Sequence, residues 1–468
     1  MNPRAKVISF ITGSPLKNWR SGLQVTGSLK LIPGCCLALI LLMITGGLEP
    51  LGALEGDGRL TLTGAIDLAL KQHPAIREYK EKATAARDQI GISRAALLPQ
   101  VGFSWSYYYG TSFGRGPGLL SATTPSGVTT AFTTPVNFFI YRFTVNQLLF
   151  DFGKTPGQVA VSRAAYNQAE EDLSGTRQKV VLEARTSYYG YLAALRAQKV
   201  EEENVRQNRE LLKQAQGFYQ VGLRAKIDVT KAEANLFDAE ANLLKAKNQV
   251  DVARVSLMTA LGLKTWPFRE VEDTFQVEHR LPGLSELKAQ ALKQRPEILK
   301  NKYQKEGNEA AIRVARAGFF PTLSSTASYG WQGTDYPLGE SWWVGATVNF
   351  PLFEGLSTTH ALRQAKANLR ATEANYEVLA QDIMKEVEQS YLEVQSAWEV
   401  IRATAKAKEA AQENLRLAWG RYQAGVGNII EVTDAQVQFA QADLKYVRAV
   451  YDYLVAGARL DKAVGKAF

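Results

Sequence analysis

Residues able to carry chemistry are few in this chain and stand far apart. His73, His279 and His360 are the only histidines among 468 residues, each beside a helix end or a linker. The two cysteines, Cys35 and Cys36, are neighbours near the start. No spacing suited to a metal, no nucleophile elbow and no phosphate-cradling P-loop is present. Gly425-Val426-Gly427 lies in a turn between helical segments, without the preceding strand that a dinucleotide site needs. The chain therefore reads as a non-enzyme with no cofactor and no metal. Carboxylates remain: Asp228 and Asp434 open two helical segments, where exposed amides and the helix dipole favour a negative charge.

The elements that position these residues occur twice. Ala69-Leu70-Lys71-Gln72-His73-Pro74 returns as Ala291-Leu292-Lys293-Gln294-Arg295-Pro296, and Leu98-Pro99 as Phe320-Pro321, both 222 residues further on. Leu149-Phe150-Asp151 returns as Leu352-Phe353-Glu354, Ser187-Tyr188 as Ser390-Tyr391, and Tyr219-Gln220-Val221-Gly222 as Tyr422-Gln423-Ala424-Gly425, now at 203. The first copy thus carries 19 extra residues between Pro99 and Leu149. A repeat of about 200 residues is far longer than a solenoid unit and implies a duplicated half-structure. The expected organisation is a signal peptide at 1–53, a first structural repeat at 54–284 and a second of the same architecture at 285–468.

The leader combines Arg4, Lys6, Lys17, Arg20 and Lys30 with an apolar run from Leu31 to Ile44 and small residues after it. These are the parts of a secretory signal, and the run is too short to span a bilayer comfortably. Cleavage is expected between Gly47 and Leu54; a retained N-terminal anchor is the alternative. Both cysteines would leave with the leader, so the mature chain would have no thiol chemistry. The first 48 residues hold five basic and no acidic side chains, which lowers the net charge from +9 to +4. That is no nucleic-acid footprint.

Each repeat contains two short alternating segments. Val101, Phe103, Trp105, Tyr107 and Tyr109 share one face against Gly102, Ser104 and Ser106. Phe139, Tyr141, Phe143 and Val145 oppose Ile140, Arg142, Thr144 and Asn146. In the second copy Leu323, Ala327, Tyr329 and Trp331 oppose Thr322, Ser324, Thr326 and Ser328, and Trp342, Val344, Ala346 and Val348 oppose Gly345, Thr347 and Asn349. Segments of about ten residues, apolar on one face and small and polar on the other, predict transmembrane β-barrel strands; a soluble sandwich is the competing reading. Most of the extra residues belong to the Gly-, Pro-, Ser- and Thr-rich loop 110–137, which would face outside the cell. Four strands cannot close a barrel, and open edges are prohibitive in lipid, so the chain must oligomerise.

The remainder is expected to be helical. A proline-free helix runs from Pro156 to about Phe218, turns at Val221-Gly222-Leu223 and returns from about Asp228 to Leu261. The second copy runs from Thr358 to Tyr422, turns at Ala424-Gly425-Val426 and returns from about Glu431 to Val464. The return helices carry heptads. Ala232, Ala239, Ala246, Ala253 and Ala260 stand beside Leu236, Leu243, Val250 and Leu257; Ala435, Ala442, Ala449, Ala456 and Ala463 stand beside Phe439, Tyr446, Tyr453 and Leu460. A sustained seven-residue period implies a left-handed coiled coil. By length, the return helix and the segment Pro74–Leu98 stacked end to end match one long helix, as in a cylinder wall. Residues 263–285, with a short strand candidate at Thr274–Glu278, link the halves as a belt.

The opening Leu60-Thr61-Leu62, Ala65-Ile66, Ala69-Leu70 and Pro74, the Leu98-Pro99 and Phe320-Pro321 steps and the Pro351-Leu352-Phe353-Glu354-Gly355 exit resemble the TolC-type outer-membrane efflux proteins. So do the paired Tyr-x-x-Gly turns followed by Asp228-Val229 and Glu431-Val432. The resemblance covers residues 58–468 in order. It implies a mainly α fold with a twelve-stranded transmembrane β-barrel completed by a homotrimer in the outer membrane, and a helical tunnel extending into the periplasm. It also implies docking to a periplasmic adaptor (membrane fusion) protein and an inner-membrane pump of RND, ABC or MFS type, for efflux or type I secretion of drugs, toxic small molecules or polypeptides. Val221, Gly222, Leu223, Ala424, Gly425 and Val426 match the family's adaptor-docking tips, although glycine there also serves the turn itself. Asp228, Glu431 and Asp434 match acidic positions of the periplasmic gate, and Tyr422 an aromatic partner in it; a ring of carboxylates would favour cations. Gly427 stands where an arginine can clamp the closed state, leaving Arg224 or Arg421 as substitutes. The rival reading is a non-conducting periplasmic coiled-coil adaptor or scaffold, which the alternating aromatic strands disfavour.

Overall fold

The computed structural model describes residues 58–110, 136–273 and 281–466. The leader with Cys35 and Cys36, His279, the strand candidate Thr274–Glu278 and nearly all of the loop 110–137 lie outside the described residues. In chain order the elements are β1 (Arg59–Leu60), α1 (Leu62–Gln72), α2 (Pro74–Ala95), β2 (Gln100–Gly110), β3 (Val136–Phe150), α3 (Lys154–Gln220) and α4 (Lys226–Ala260). Then come β4 (Glu270–Val271), α5 (Leu284–Gln294), α6 (Pro296–Ala317), β5 (Thr322–Gly333), β6 (Gly339–Asn349), α7 (Ser357–Gln423) and α8 (Ile429–Val464). Among the described residues no helix is long and apolar enough to cross a membrane.

Helix lengths recur between the halves: 11 residues in α1 and α5, 22 in α2 and α6, 67 in α3 and α7. Each 67-residue helix is about 100 Å long and packs along two shorter ones, α2 and α4 against α3, α6 and α8 against α7. The shorter helices meet end to end. After α4 the chain turns through Gly262 at φ 71°, and a Cβ there would come within 3.0 Å of Gln72 O and His73 Cα, where α2 begins. Gly465, at φ 79° after α8, approaches Arg295 at the start of α6 just as closely. Both the left-handed backbone and the close approach require glycine at these junctions. The heptad columns face inward as their period demands: Ala232, Leu236, Ala239, Leu257 and Ala260 are buried in α4, and Ala435, Ala449, Tyr453, Ala456 and Ala463 in α8.

Local chemistry sets the helix boundaries. Thr61 caps α1 by accepting from Gly64 N at 3.0 Å. His73 caps α2, its Nδ1 accepting from Ala75 N at 3.2 Å with Pro74 in the first turn, so this histidine is structural. Asp151 is buried and holds the start of α3, accepting from Gly153 N at 3.2 Å and Thr155 N at 2.6 Å. Its counterpart Glu354 accepts from Thr358 Oγ1 at 2.9 Å. The belt segment packs on the first half: Trp266 lies 5.5 Å from Tyr191, and β4 pairs in parallel with β1. Tyr188, fully buried, donates to Glu272 O at 2.7 Å beside that pair.

The four long strands form one antiparallel sheet in the order β2-β3-β5-β6, so β3 and β5 join the two halves. Its register brings the alternating faces together. Phe103 pairs with Phe143, Phe143 with Tyr329 and Tyr329 with Trp342; Trp105 pairs with Tyr141 and Tyr141 with Trp331. One face is therefore mostly apolar and exposed, with Phe103, Trp105 and Trp342 at 58%, 58% and 70% accessibility and Glu340 opposite Trp331 near one end. Gly330 is forced to be glycine, since a Cβ there would meet Tyr141 O at 1.9 Å.

Where the second copy replaces His73 with Arg295, an ion cluster takes the place of the cap. The Arg295 side chain is buried, donates to Glu297 at 2.9 and 3.1 Å and bonds Glu386, which also accepts from Lys462 at 2.8 Å. Burial pushes the Glu297 and Glu386 carboxyls up, but bonding to Arg295, joined at Glu386 by Lys462, outweighs it and holds both below the ordinary carboxylate range. Groups with depressed values contribute stability that is complete above the unfolded pKa and is lost as pH falls through the folded one. Acid titration followed by far-ultraviolet circular dichroism should therefore show wild type losing stability between about pH 5 and pH 3. Glu386→Gln should start less stable at neutral pH and lose less on acidification; identical acid profiles would remove the cluster from the stability of this junction.

Candidate functional site

The tips of the two long hairpins lie together. Each long helix ends in a Schellman turn: Gly222, at φ 76°, donates to Tyr219 O and Leu223 N to Phe218 O, while Gly425, at φ 78°, donates to Tyr422 O and Val426 N to Arg421 O. These turns leave Val221, Leu223 and Val426 projecting into solvent at 68%, 69% and 73% accessibility. Gly222, Ala424 and Gly425 are exposed too, so all six expected tip residues are on the surface. Ile227 and Ile430, in the first turns of α4 and α8, extend the same apolar rim and escape a reading of the turns alone.

Behind the rim the two hairpins share a core. Leu211 and Ala215 of α3 and Ala232 of α4 pack with Leu415, Ala418 and Tyr422 of α7 and Ile429, Val432 and Ala435 of α8. Tyr422 is fully buried, edge-on to Phe218 at 5.7 Å between ring centres. Burial pushes its phenol pKa up, Asp228 raises it further and Arg224 opposes both, so the group is neutral at physiological pH. Its hydroxyl has no hydrogen-bond partner among the described residues. Tyr422 is thus a core residue between the hairpins rather than an exposed lining group.

Arg224 ties one tip to the other. From the first turn its Nη2 donates to Gly425 O at 3.1 Å and Gly427 O at 2.6 Å, and its guanidinium lies 5.5 Å from the Tyr422 ring centre. A charged donor on two backbone carbonyls is among the stronger hydrogen-bond types. Position 427 cannot supply a clamp itself, since a Cβ there would meet Tyr422 N at 2.8 Å and Arg421 C at 2.9 Å. Of the two expected substitutes, Arg224 spans the hairpins and Arg421 stays within its own, bonding Glu431 at 3.2 Å.

The carboxylates divide into three situations. Asp228 is half-buried in the first turn of α4, close enough to Tyr422 to act on it, but it makes no side-chain cap there. Glu431 is in the first turn of α8, and that helix is capped by Asn428, whose Oδ1 accepts from Ile430 N at 3.1 Å. Asp434 is exposed and lies beyond the first turn, and none of the ion pairs among the described residues includes it. The capping reading of Asp434 is corrected accordingly, because α8 starts at Ile429.

This fold is shared with solved outer-membrane channels. The Campylobacter jejuni CmeC outer membrane channel superposes with a TM-score of 0.73 at 19% identity, covering 86% of this chain and 85% of that one. The outer-membrane channel OprN gives 0.74 at 21% identity, covering 87% and 90%. The chain belongs to the outer membrane efflux protein family, which it matches over residues 65–263 and 287–466. The outer membrane efflux protein BepC of Brucella suis is 24% identical over 410 residues, 87% of this chain and 85% of that protein. Outer membrane protein TolC of Escherichia coli is also 24% identical over 410 residues, 84% and 80% of the two chains.

Arg224→Ala should free the second turn without unfolding the hairpins, because the apolar core remains. Amide hydrogen exchange at Gly425 to Ile430 is expected to quicken on the order of tenfold, with Arg224→Lys in between. Unchanged protection would mean that the core alone holds the tips.

Proposed function

We propose that three copies of this chain form the outer-membrane exit channel of a tripartite efflux or type I secretion system. The observation that carries the proposal is the sheet. One face is mostly Phe, Tyr, Trp, Val and Ala, with Glu340 near one end, and β2 and β6 each have one edge with no strand beside it among the described residues. In lipid such edges must be paired. Pairing β6 of one copy with β2 of the next, in the trimer that the family resemblance implies, closes a twelve-stranded barrel with its apolar face to the membrane.

The internal repeat, 54–284 and 285–468 behind a leader at 1–53, gives each copy two hairpins, and three copies a wall of six. The helices would extend into the periplasm as a tunnel. An adaptor would dock on the apolar tip residues Val221, Leu223 and Val426 and the turn residues Gly222, Ala424 and Gly425 between them, with an RND, ABC or MFS pump beyond it. Drugs, toxic small molecules or polypeptides would pass by diffusion, with the pump supplying the energy. The efflux-pump relatives, among them the toluene efflux pump protein TtgC of Pseudomonas putida at 25% identity, support this reading over an adaptor or scaffold, as does the aromatic sheet.

At the tips, Asp228, Glu431 and Asp434 would ring the periplasmic entrance. Tyr422 would act beneath them as the packed hinge of the closed state, held by Arg224. Purified wild type should run as a heat-modifiable trimer and conduct in planar bilayers. Asp228→Ala combined with Asp434→Ala should raise single-channel conductance and weaken the preference for cations; unchanged conductance would reject a gating role. A protein that stays monomeric and soluble without detergent would reject the channel.

A further inference from the structure

The polar face of the sheet contains one charged side chain among the described residues. Among the described residues, Arg142 on β3 is the only Asp, Glu, Lys or Arg on that face, which is otherwise mostly serine, threonine, asparagine, glutamine and glycine. Its row across the sheet is Ser104, Arg142, Gly330 and Ser341, so its neighbours are the smallest available. At Gly330 no side chain fits at all, which leaves the floor beside the guanidinium bare. Arg142 is half-buried and, among the described residues, makes one long bond from Nη2 to Gln332 Oε1 at 3.4 Å. A guanidinium has five N–H donors, so most of its capacity is directed at whatever fills the space over the sheet.

We infer that Arg142 forms an oxyanion-binding ring inside the barrel. This rests on the channel reading above: with the aromatic face to lipid, the Arg142 face must line the lumen, and three copies place three guanidiniums at one level. A ring of positive side chains favours anions in a pore, and arginine presents a planar fork that matches carboxylate, sulfonate or phosphate groups. The sign is opposite to that of the tip carboxylates. The conduit would carry a cation-favouring entrance and an anion-favouring exit separated by the length of the long helices, far beyond a Debye length, so the ring would hold the acidic groups of cargo that has already passed the tips.

The test uses full-length trimers in planar bilayers at low salt, where screening is least, with a KCl gradient and citrate added on the side opposite the helical tips. Citrate should block wild type, and Arg142→Gln should weaken that block at least about fivefold and move the reversal potential towards that of K⁺. Arg142→Lys should keep both properties in part. The Asp228→Ala, Asp434→Ala double variant should leave the citrate block unchanged, which separates the ring from the tips. If Arg142→Gln does not assemble, Arg142→Cys can be modified after insertion, because the chain has no cysteine besides Cys35 and Cys36. A cationic thiosulfonate reagent should restore the block and a neutral one should not. Conducting Arg142→Gln channels with unaltered citrate block and reversal potential would overturn the ring. Wild-type protein that does not conduct would overturn the channel reading itself, and the ring with it.

Discussion

A β-sheet that presents aromatic and aliphatic side chains along one whole face can persist only where that face leaves water, and a lipid-facing sheet can persist only where its edges are paired. On the channel reading proposed above, both demands fall on the same four strands, which are assembled across the repeat. β3 and β5 come from different halves and are paired over most of their length, from Phe139 opposite Gly333 to Phe150 opposite Leu323, with a bulge between Leu148 and Phe150. A slip of one residue would turn every side chain to the other face, setting Phe143 and Trp331 among the serines. Gly330 guards the register, because only a residue without Cβ fits against Tyr141 O.

The helical part answers a different constraint: two short helices must act as one partner for a 67-residue helix. Gly262 and Gly465 allow this by bringing the ends together, with 3.0 Å between a would-be Cβ and the facing residue. The entry to each long helix is equally constrained. Two consecutive residues take left-handed conformations in both halves, Phe152 and Gly153 in the first, Gly355 and Leu356 in the second. Each pair has one glycine, in opposite order, so each half holds one bulky residue at positive φ at a cost of about 1–2 kcal/mol. Retaining that strain twice indicates that the sharp exit from strand into helix is fixed by the geometry on both sides. Phe152 offsets part of the cost by stacking on Phe320 at 4.9 Å.

Much of this is legible in the residues, because periodicity reports directly on which face a side chain occupies. Period two locates the strands and their apolar faces, period seven the columns of α4 and α8, and the Gly-containing turns the hairpin tips. Interactions between elements distant in sequence leave no such trace. Nothing local to Arg224 says that its acceptors are Gly425 and Gly427, about two hundred residues away, and nothing local to Tyr422 says that Phe218 covers it. Asp434 reads as a helix opener as long as Asn428 is taken for an ordinary turn residue; the structure makes Asn428 the cap, six residues earlier. β1 and β4, two residues each, are too short to have a period, and they exist because Tyr188 and the surrounding core hold their backbones. Arg295 aligns with a capping histidine, yet a guanidinium cannot accept a backbone N–H; only the neighbouring Glu297, Glu386 and Lys462 explain its burial.

The energetics of the tips distinguish a lock from a weld. The shared core behind them is built largely of alanine, leucine and valine, but at its outer end it depends on one large aromatic, Tyr422, whose hydroxyl is buried without a partner among the described residues. An unpaired buried hydroxyl costs about 1–3 kcal/mol, which offsets part of what burying the ring contributes. Arg224 adds two charge-assisted bonds from a half-exposed side chain, so solvent screens them. Closure is therefore a balance of a few modest terms at the extreme end of hairpins that are secured firmly along the rest of their length. Separating the tips would hydrate the Tyr422 hydroxyl and release Arg224 to water, and each of these partly compensates for the packing given up. On the gating role proposed above, that is the thermodynamic form expected of an element that opens while the hairpins behind it stay folded.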